Sequence, residues 1–207
     1  STDVPLQPAT SFSITGTSGF RMLSSPVSGT IYADLLEELW TQGMAGSDDP
    51  NHGAANVWTR SSSSSSWQAL TDLDNDTYTA GDGILVYVFE DANYDGLTND
   101  LPLTLSINGY DDVSFHNIST VENSFNLLGN PYGWSMDIPQ MLADNSDFHS
   151  TIYVWDNAIS AYRTHNGTVG DIADGLIAPF QGFWVEADAA ASSFTFNPFS
   201  MTADQGT

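Results

Sequence analysis

Near the middle of the chain, Asp91, Asn93 and Asp95 stand at alternate positions and are followed by Gly96. Oxygen ligands at spacing two, with a glycine where the backbone must reverse, open a calcium loop of the D-x-[DN]-x-[DN]-G kind. Leu97 would add a backbone carbonyl and Asn99 a further oxygen. The bidentate glutamate of the EF-hand pattern is missing, because Pro102 holds its place, so Asp100 or Glu90 must close the shell. An Asx-rich turn favours the same residue types. The concentration of carboxylates tips the expectation to Ca2+. A second alternation, Asp72, Asp74 and Asp76, has Thr77 where the glycine should be. It is expected to be a solvated acidic loop, with a second metal ion as the lesser reading. A strand of ~3.3 Å per residue separates the two clusters, so one ion cannot serve both.

Other candidate chemistry is sparse. The four histidines, His52, His116, His149 and His165, are scattered, and no G-x-S-x-G motif is present. No enzyme is expected. Aromatic faces can stack on sugars, but Trp58 and Trp155, Trp67 and Tyr162, and Tyr87 and Trp184 fall at matched positions of strand patterns and are assigned to core or inter-sheet packing. Trp40 and Trp134 lie outside those patterns and are the candidates for surface contact with a glycan.

These residues need elements to position them, and the elements recur. FRMLSSPV at 20–27 is answered by FNLLGNPY at 125–132, NVWTR at 56–60 by YVWDN at 153–157, and SSWQ at 65–68 by SAYR at 160–163. TAGDGILVYV at 79–88 is answered by APFQGFWVEA at 178–187, with Gly83 matching Gly182, and PLTLS at 102–106 by SFTFN at 193–197. Matched segments in one order indicate a duplicated supersecondary unit. Each copy predicts strand, short helix, hairpin, strand, strand. The first helix is expected from a Thr30 cap, through Ile31, Leu35, Leu36 and Leu39, to a stop at Gly43. The second is expected to be a shortened version over 137–143, with Pro139 near its start. The six-serine run at 61–66 marks a hairpin tip. The acidic loop 89–100 has only ADAAAS as its counterpart, so it decorates one copy.

Composition bounds the partners. The 207 residues include 26 acidic and three basic side chains, Arg21, Arg60 and Arg163, for a net charge of −23. Such a chain repels phosphate backbones and anionic lipid, which argues against nucleic acid. No apolar run reaches the ~20 residues of a membrane span, so no membrane insertion is expected. There is no cysteine. The polar, lysine-free composition points to an extracellular address, with a secretion signal removed.

The GF-R-M-L-S-S-P, VYVFED-YDG, FNLLGNPY, YVWDN and GLIAPFQGFWV segments resemble the duplicated β modules of large secreted surface proteins from bacteria that use the type IX secretion system. The resemblance covers about residues 20–190. It implies secretion and a cell-surface location.

The sequence therefore predicts an all-β, β-sandwich-like fold of two internal pseudo-repeats, each with one short helix. The expected divisions are an N-terminal extension at 1–19, a first repeat at 20–107, a connection at 108–124, a second repeat at 125–197 and a tail at 198–207. The function expected is a calcium-stabilised structural subunit that self-assembles into an extracellular filament or layer, with 1–19 as a possible donor strand for a neighbour's sheet. The alternative is a carbohydrate-binding or adhesion module.

Overall fold

The computed structural model describes residues 4–5 and 11–202. Of the expected donor segment, 1–3 and 6–10 lie outside the described residues, as do 203–207 of the tail. The fold is all-β, with antiparallel sheets and two short helices.

The first half runs β1 (Val4–Pro5), β2 (Phe12–Ile14), β3 (Gly19–Leu23), α1 (Tyr32–Leu35), β4 (Val57–Arg60), β5 (Trp67–Ala69), β6 (Ile84–Val88), β7 (Leu103–Leu105) and β8 (Tyr110–Asp111). The second runs β9 (His116–Ser119), β10 (Phe125–Gly129), β11 (Ser135–Asp137), α2 (Ile138–Ala143), β12 (Phe148–Asp156), β13 (Ala161–His165), β14 (Leu176–Ile177), β15 (Gly182–Ala187), β16 (Ser193–Phe196) and β17 (Met201–Thr202). Each half builds a four-stranded sheet in the same spatial order, β3-β6-β4-β5 and β10-β15-β12-β13. Each also builds a two-stranded ladder, β2 with β7 and β9 with β16. So Phe12–Ile14, expected as a possible donor strand, pairs within its own chain and starts the first repeat, as β9 starts the second.

Strand chemistry follows the alternation of side chains. In β6, Ile84, Val86 and Val88 point into the core while Leu85 and Tyr87 face the other way. The helices differ from expectation. α1 spans four residues, is capped by Ile31 without a side-chain bond, and ends before Leu36. Leu35, Leu36 and Leu39 are all buried in one core, the latter two carried there by turns after the helix ends. α2 is the longer of the two: Asp137 Oδ1 accepts the Gln140 N–H at 2.8 Å, and Pro139 sits in the first turn.

The halves are joined reciprocally. Ser24 N–H donates to Phe180 O, and Gly129 N–H to Gly81 O, both at 2.9 Å. Leu23 bridges Gln181, and Asp82 bridges Leu128. The matched glycines sit at this junction: a Cβ on Gly182 would lie 2.8 Å from Leu23 O, and one on Gly83 would lie 2.8 Å from Leu128 O. Contacts of residue i with j and of the counterparts in reverse are the pattern of a two-fold interface, here inside one chain. Each half has its own core, and each core takes side chains from the other half: Phe180 is buried in the first, and Met22 is buried in the second with Leu85 packed against it. Gly81 and Phe180 correspond, and both have positive φ, 107° and 62°. The position in the first half must be glycine because a Cβ there would meet Ile118 at 2.6 Å.

The register corrects two of the aromatic matches. Leu85 and Trp184 each lie two residues beyond their junction glycine, so Trp184 corresponds to Leu85 and Tyr87 to Glu186. Trp58 pairs with Leu85 and Tyr153 with Trp184, so Trp58 corresponds to Tyr153. Two residues further on, Arg60 pairs with Trp67 as Trp155 pairs with Tyr162. Arg60 therefore corresponds to Trp155, and only the Trp67–Tyr162 match stands.

Candidate binding groove and acidic loop

In the acidic loop the side chains turn inward onto the backbone. Asp91 Oδ1 accepts the Asp95 N–H at 2.9 Å and Oδ2 the Gly96 N–H at 2.9 Å. Asn93 Oδ1 shares the Asp95 N–H at 3.0 Å, and Asp95 Oδ1 accepts from Leu97 at 2.8 Å. Asp100 Oδ2 closes the ring on the Ala92 and Asn93 amides. Glu90 points away and accepts from Ser18 N–H at 3.1 Å. Leu97 and Asn99 are exposed. Gly96 makes the reversal at φ 88°.

Asp91 and Asn93 thus converge on one amide, and each bonded oxygen keeps a second lone pair. Among the described residues, however, no three His, Cys, Asp or Glu side chains come together as a metal-holding group. Backbone N–H groups supply the positive ends that a cation would. Any ion there would draw on Asp91, Asn93 and Asp95 rather than on Glu90.

The second cluster is an Asx-turn network. Asp72 Oδ1 accepts from Asp74 and Asn75 amides, and Asp76 Oδ2 from those of Thr71 and Asp72. Burial pushes the Asp76 carboxyl up, but those amides and the Thr71 hydroxyl outweigh it and hold it below its ordinary value. Trp40 is not a free platform: Tyr94 of the acidic loop stacks on it at 4.5 Å and 14°. Trp134 is 39% exposed.

Of the matched aromatics, expected in core or inter-sheet packing, Trp155 and Trp184 pack against the second core, and Tyr162 and Trp184 also line an open groove. Strand alternation puts Phe125, Tyr153, Trp155, Tyr162 and Trp184 on one face of the second sheet, the face turned to the first. Tyr162 is 48% exposed and Trp67 43%. Phe125, Tyr153, Tyr162, Trp184 and Arg60 enclose about 360 Å³, within the ~300–1,000 Å³ of small-ligand sites. Phe125 meets Tyr153 edge-on at 5.7 Å, and Trp67 meets Trp184 edge-on at 5.7 Å. Arg60 lies over both indoles, 5.0 Å from Trp184 and 5.6 Å from Trp67, and its Nε–H donates to Phe125 O at 3.1 Å. Partial burial lowers its pKa from the ordinary value.

A larger cleft of about 600 Å³ runs between β2–β3 and the β12–β13 hairpin. Its cations are already engaged: Arg163 Nε–H donates to Asp156 at 2.7 Å, and Arg21 donates to the carbonyls of Thr15, Thr17 and Phe20. On the second sheet, His149 stands between Glu186 at 3.0 Å and Asp188 at 2.6 Å. Only the pairing of β12 with β15 brings these three together, so linear spacing gave no sign of them. The chain matches no protein-family model, no curated protein and no solved structure.

Proposed function

We propose that the chain is a non-enzymatic adhesion or carbohydrate-binding module of a secreted surface protein. The observation that carries it is the aromatic groove at the junction of the repeats. Several rings on one rigid sheet face offer flat apolar surfaces to the C–H faces of a sugar, and the surrounding framework holds them in fixed register. The strongly acidic surface suits an extracellular setting, where Ca2+ on Asp91, Asn93 and Asp95 would stiffen the loop beside Trp40. A glycan array tests the reading, with Tyr153→Ala expected to lose binding and Trp134→Ala to keep it. Absence of saturable sugar binding by the folded protein would defeat it.

The self-assembling subunit is the second reading, supported by β1, which is held to β8 by a two-residue pairing and so could exchange with a neighbour. Deleting residues 1–10 should then leave folded monomers, and wild-type protein that stays monomeric at high concentration with Ca2+ would exclude this reading.

A further inference from the structure

The junction presents two pseudo-equivalent faces, and they differ in charge. Phe20, Trp58, Trp67 and Leu85 of the first sheet occupy the positions of Phe125, Tyr153, Tyr162 and Trp184 of the second; Trp155 of the second sheet holds the position that Arg60 has in the first, and Glu186, ion-paired to His149, holds that of Tyr87. The framework is therefore satisfied by leucine and tryptophan at these two places. The second sheet has instead a tryptophan with a guanidinium laid on it.

That guanidinium is unusual in this molecule. The chain has three basic side chains against 26 acidic ones. Arg163 is bonded to Asp156, and the terminal nitrogens of Arg21 are occupied by carbonyls. Among the described residues, the terminal nitrogens of Arg60 have no hydrogen-bond or ion-pair partner, and only its Nε is used. A planar cation with free N–H groups at the rim of an aromatic groove matches an anion carried on a ring with an apolar face.

We propose that this groove is selective for anionic pyranosides, stacking the sugar on Tyr153, Tyr162 and Trp184 while Arg60 binds its carboxylate or sulfate. The net charge of −23 does not prevent this, because exposed charges beyond ~8 Å are largely screened at physiological salt whereas Arg60 acts at contact. The proposal rests on the carbohydrate-binding reading and adds the charge of the ligand.

The test is calorimetric titration of the whole chain with three oligosaccharides of equal length: an oligogalacturonate, a sulfated galactan and a neutral galactan. Wild type should prefer an acidic oligomer over the neutral one by roughly tenfold or more, the worth of one charge-assisted hydrogen bond. The carboxylate and sulfate arms identify which anion is preferred. Arg60→Gln should bind all three alike at the neutral level, and Arg60→Lys should keep part of the preference, with circular dichroism confirming that both fold. Equal binding of acidic and neutral oligomers by wild type, or an undiminished preference in Arg60→Gln, would overturn the selectivity while leaving the sugar-binding reading intact. Binding of none of the three would overturn both.

Discussion

The two repeats build the same sheet order around the same junction, yet they are finished differently. The first carries the acidic loop, with Tyr94 laid on Trp40. The second carries the aromatic groove, with Arg60 reaching across to Trp184. Where the halves agree, the residues serve the fold: Gly83 and Gly182 allow backbones to approach, and Ile84, Val86, Phe183 and Val185 fill cores. Where they disagree, the fold tolerates either choice, so the difference is free to serve something else. Duplication thus gives an internal control that separates framework from decoration.

The strongest way to break the comparison is at the exchanged core residue. Phe180 is fully buried in the first repeat's core although the second repeat supplies it. Phe180→Ala should cost about 3–5 kcal/mol and lower the melting of both halves together. Separate transitions by near-ultraviolet and far-ultraviolet circular dichroism would show instead that the halves unfold independently. Next comes the loop that only the first half has. If Ca2+ binds there tightly, saturating it at about 1,000 times its dissociation constant adds ~4 kcal/mol. Asp95→Asn should remove most of that gain, and a melting temperature indifferent to chelator would exclude a tight site.

The glycines sharpen the symmetry. Gly83→Ala and Gly182→Ala each push a methyl against backbone oxygen of the opposite half, and each should cost about 1–3 kcal/mol. A loss at one position alone, read from urea denaturation, would mean that the junction is not two-fold in energy.

A smaller effect comes from Asp82, whose counterpart Gln181 is neutral. Burial raises the Asp82 carboxyl to about 6, so the folded state favours its protonated form. Its contribution is present below the unfolded pKa near ~4 and is lost as pH rises through about 6. Stability should fall by on the order of 2 kcal/mol across that window, and Asp82→Asn should flatten the decline. An unchanged pH profile in the variant would reassign the effect to other carboxylates.

Much of the framework was legible in the sequence. The repeated FRML and FNLL strands, the matched glycines and the serine-run hairpin all stand where spacing put them, because strand alternation and close approach act on single residues. The register of β4 and β12 was not legible. A slip of two residues keeps every side chain on its face, so aligning VWTR with VWDN satisfied the same hydrophobic pattern as the true pairing of Trp58 with Tyr153. The first helix is shorter than its stripe predicts for a related reason: the apolar positions from Ile31 to Leu39 are buried by turns as well as by helix. The acidic loop was visible as a cluster, but whether its carboxylates faced an ion or backbone amides depends on dihedral angles that composition does not encode. The groove could be seen only once the sheets were placed, because Arg60 and Trp184 lie in different repeats.

The most direct measurement replaces a decoration with its framework counterpart. Trp184→Leu installs the residue that the first repeat carries at Leu85; as a large-to-small change at a ring packed against the core it should cost about 1–3 kcal/mol and leave a folded protein, confirmed by circular dichroism. Calorimetric titration with oligogalacturonate should show saturable binding to wild type and an affinity lower by about tenfold or more in Trp184→Leu. Equal affinity in a folded Trp184→Leu variant would contradict the assignment of the groove as the binding site.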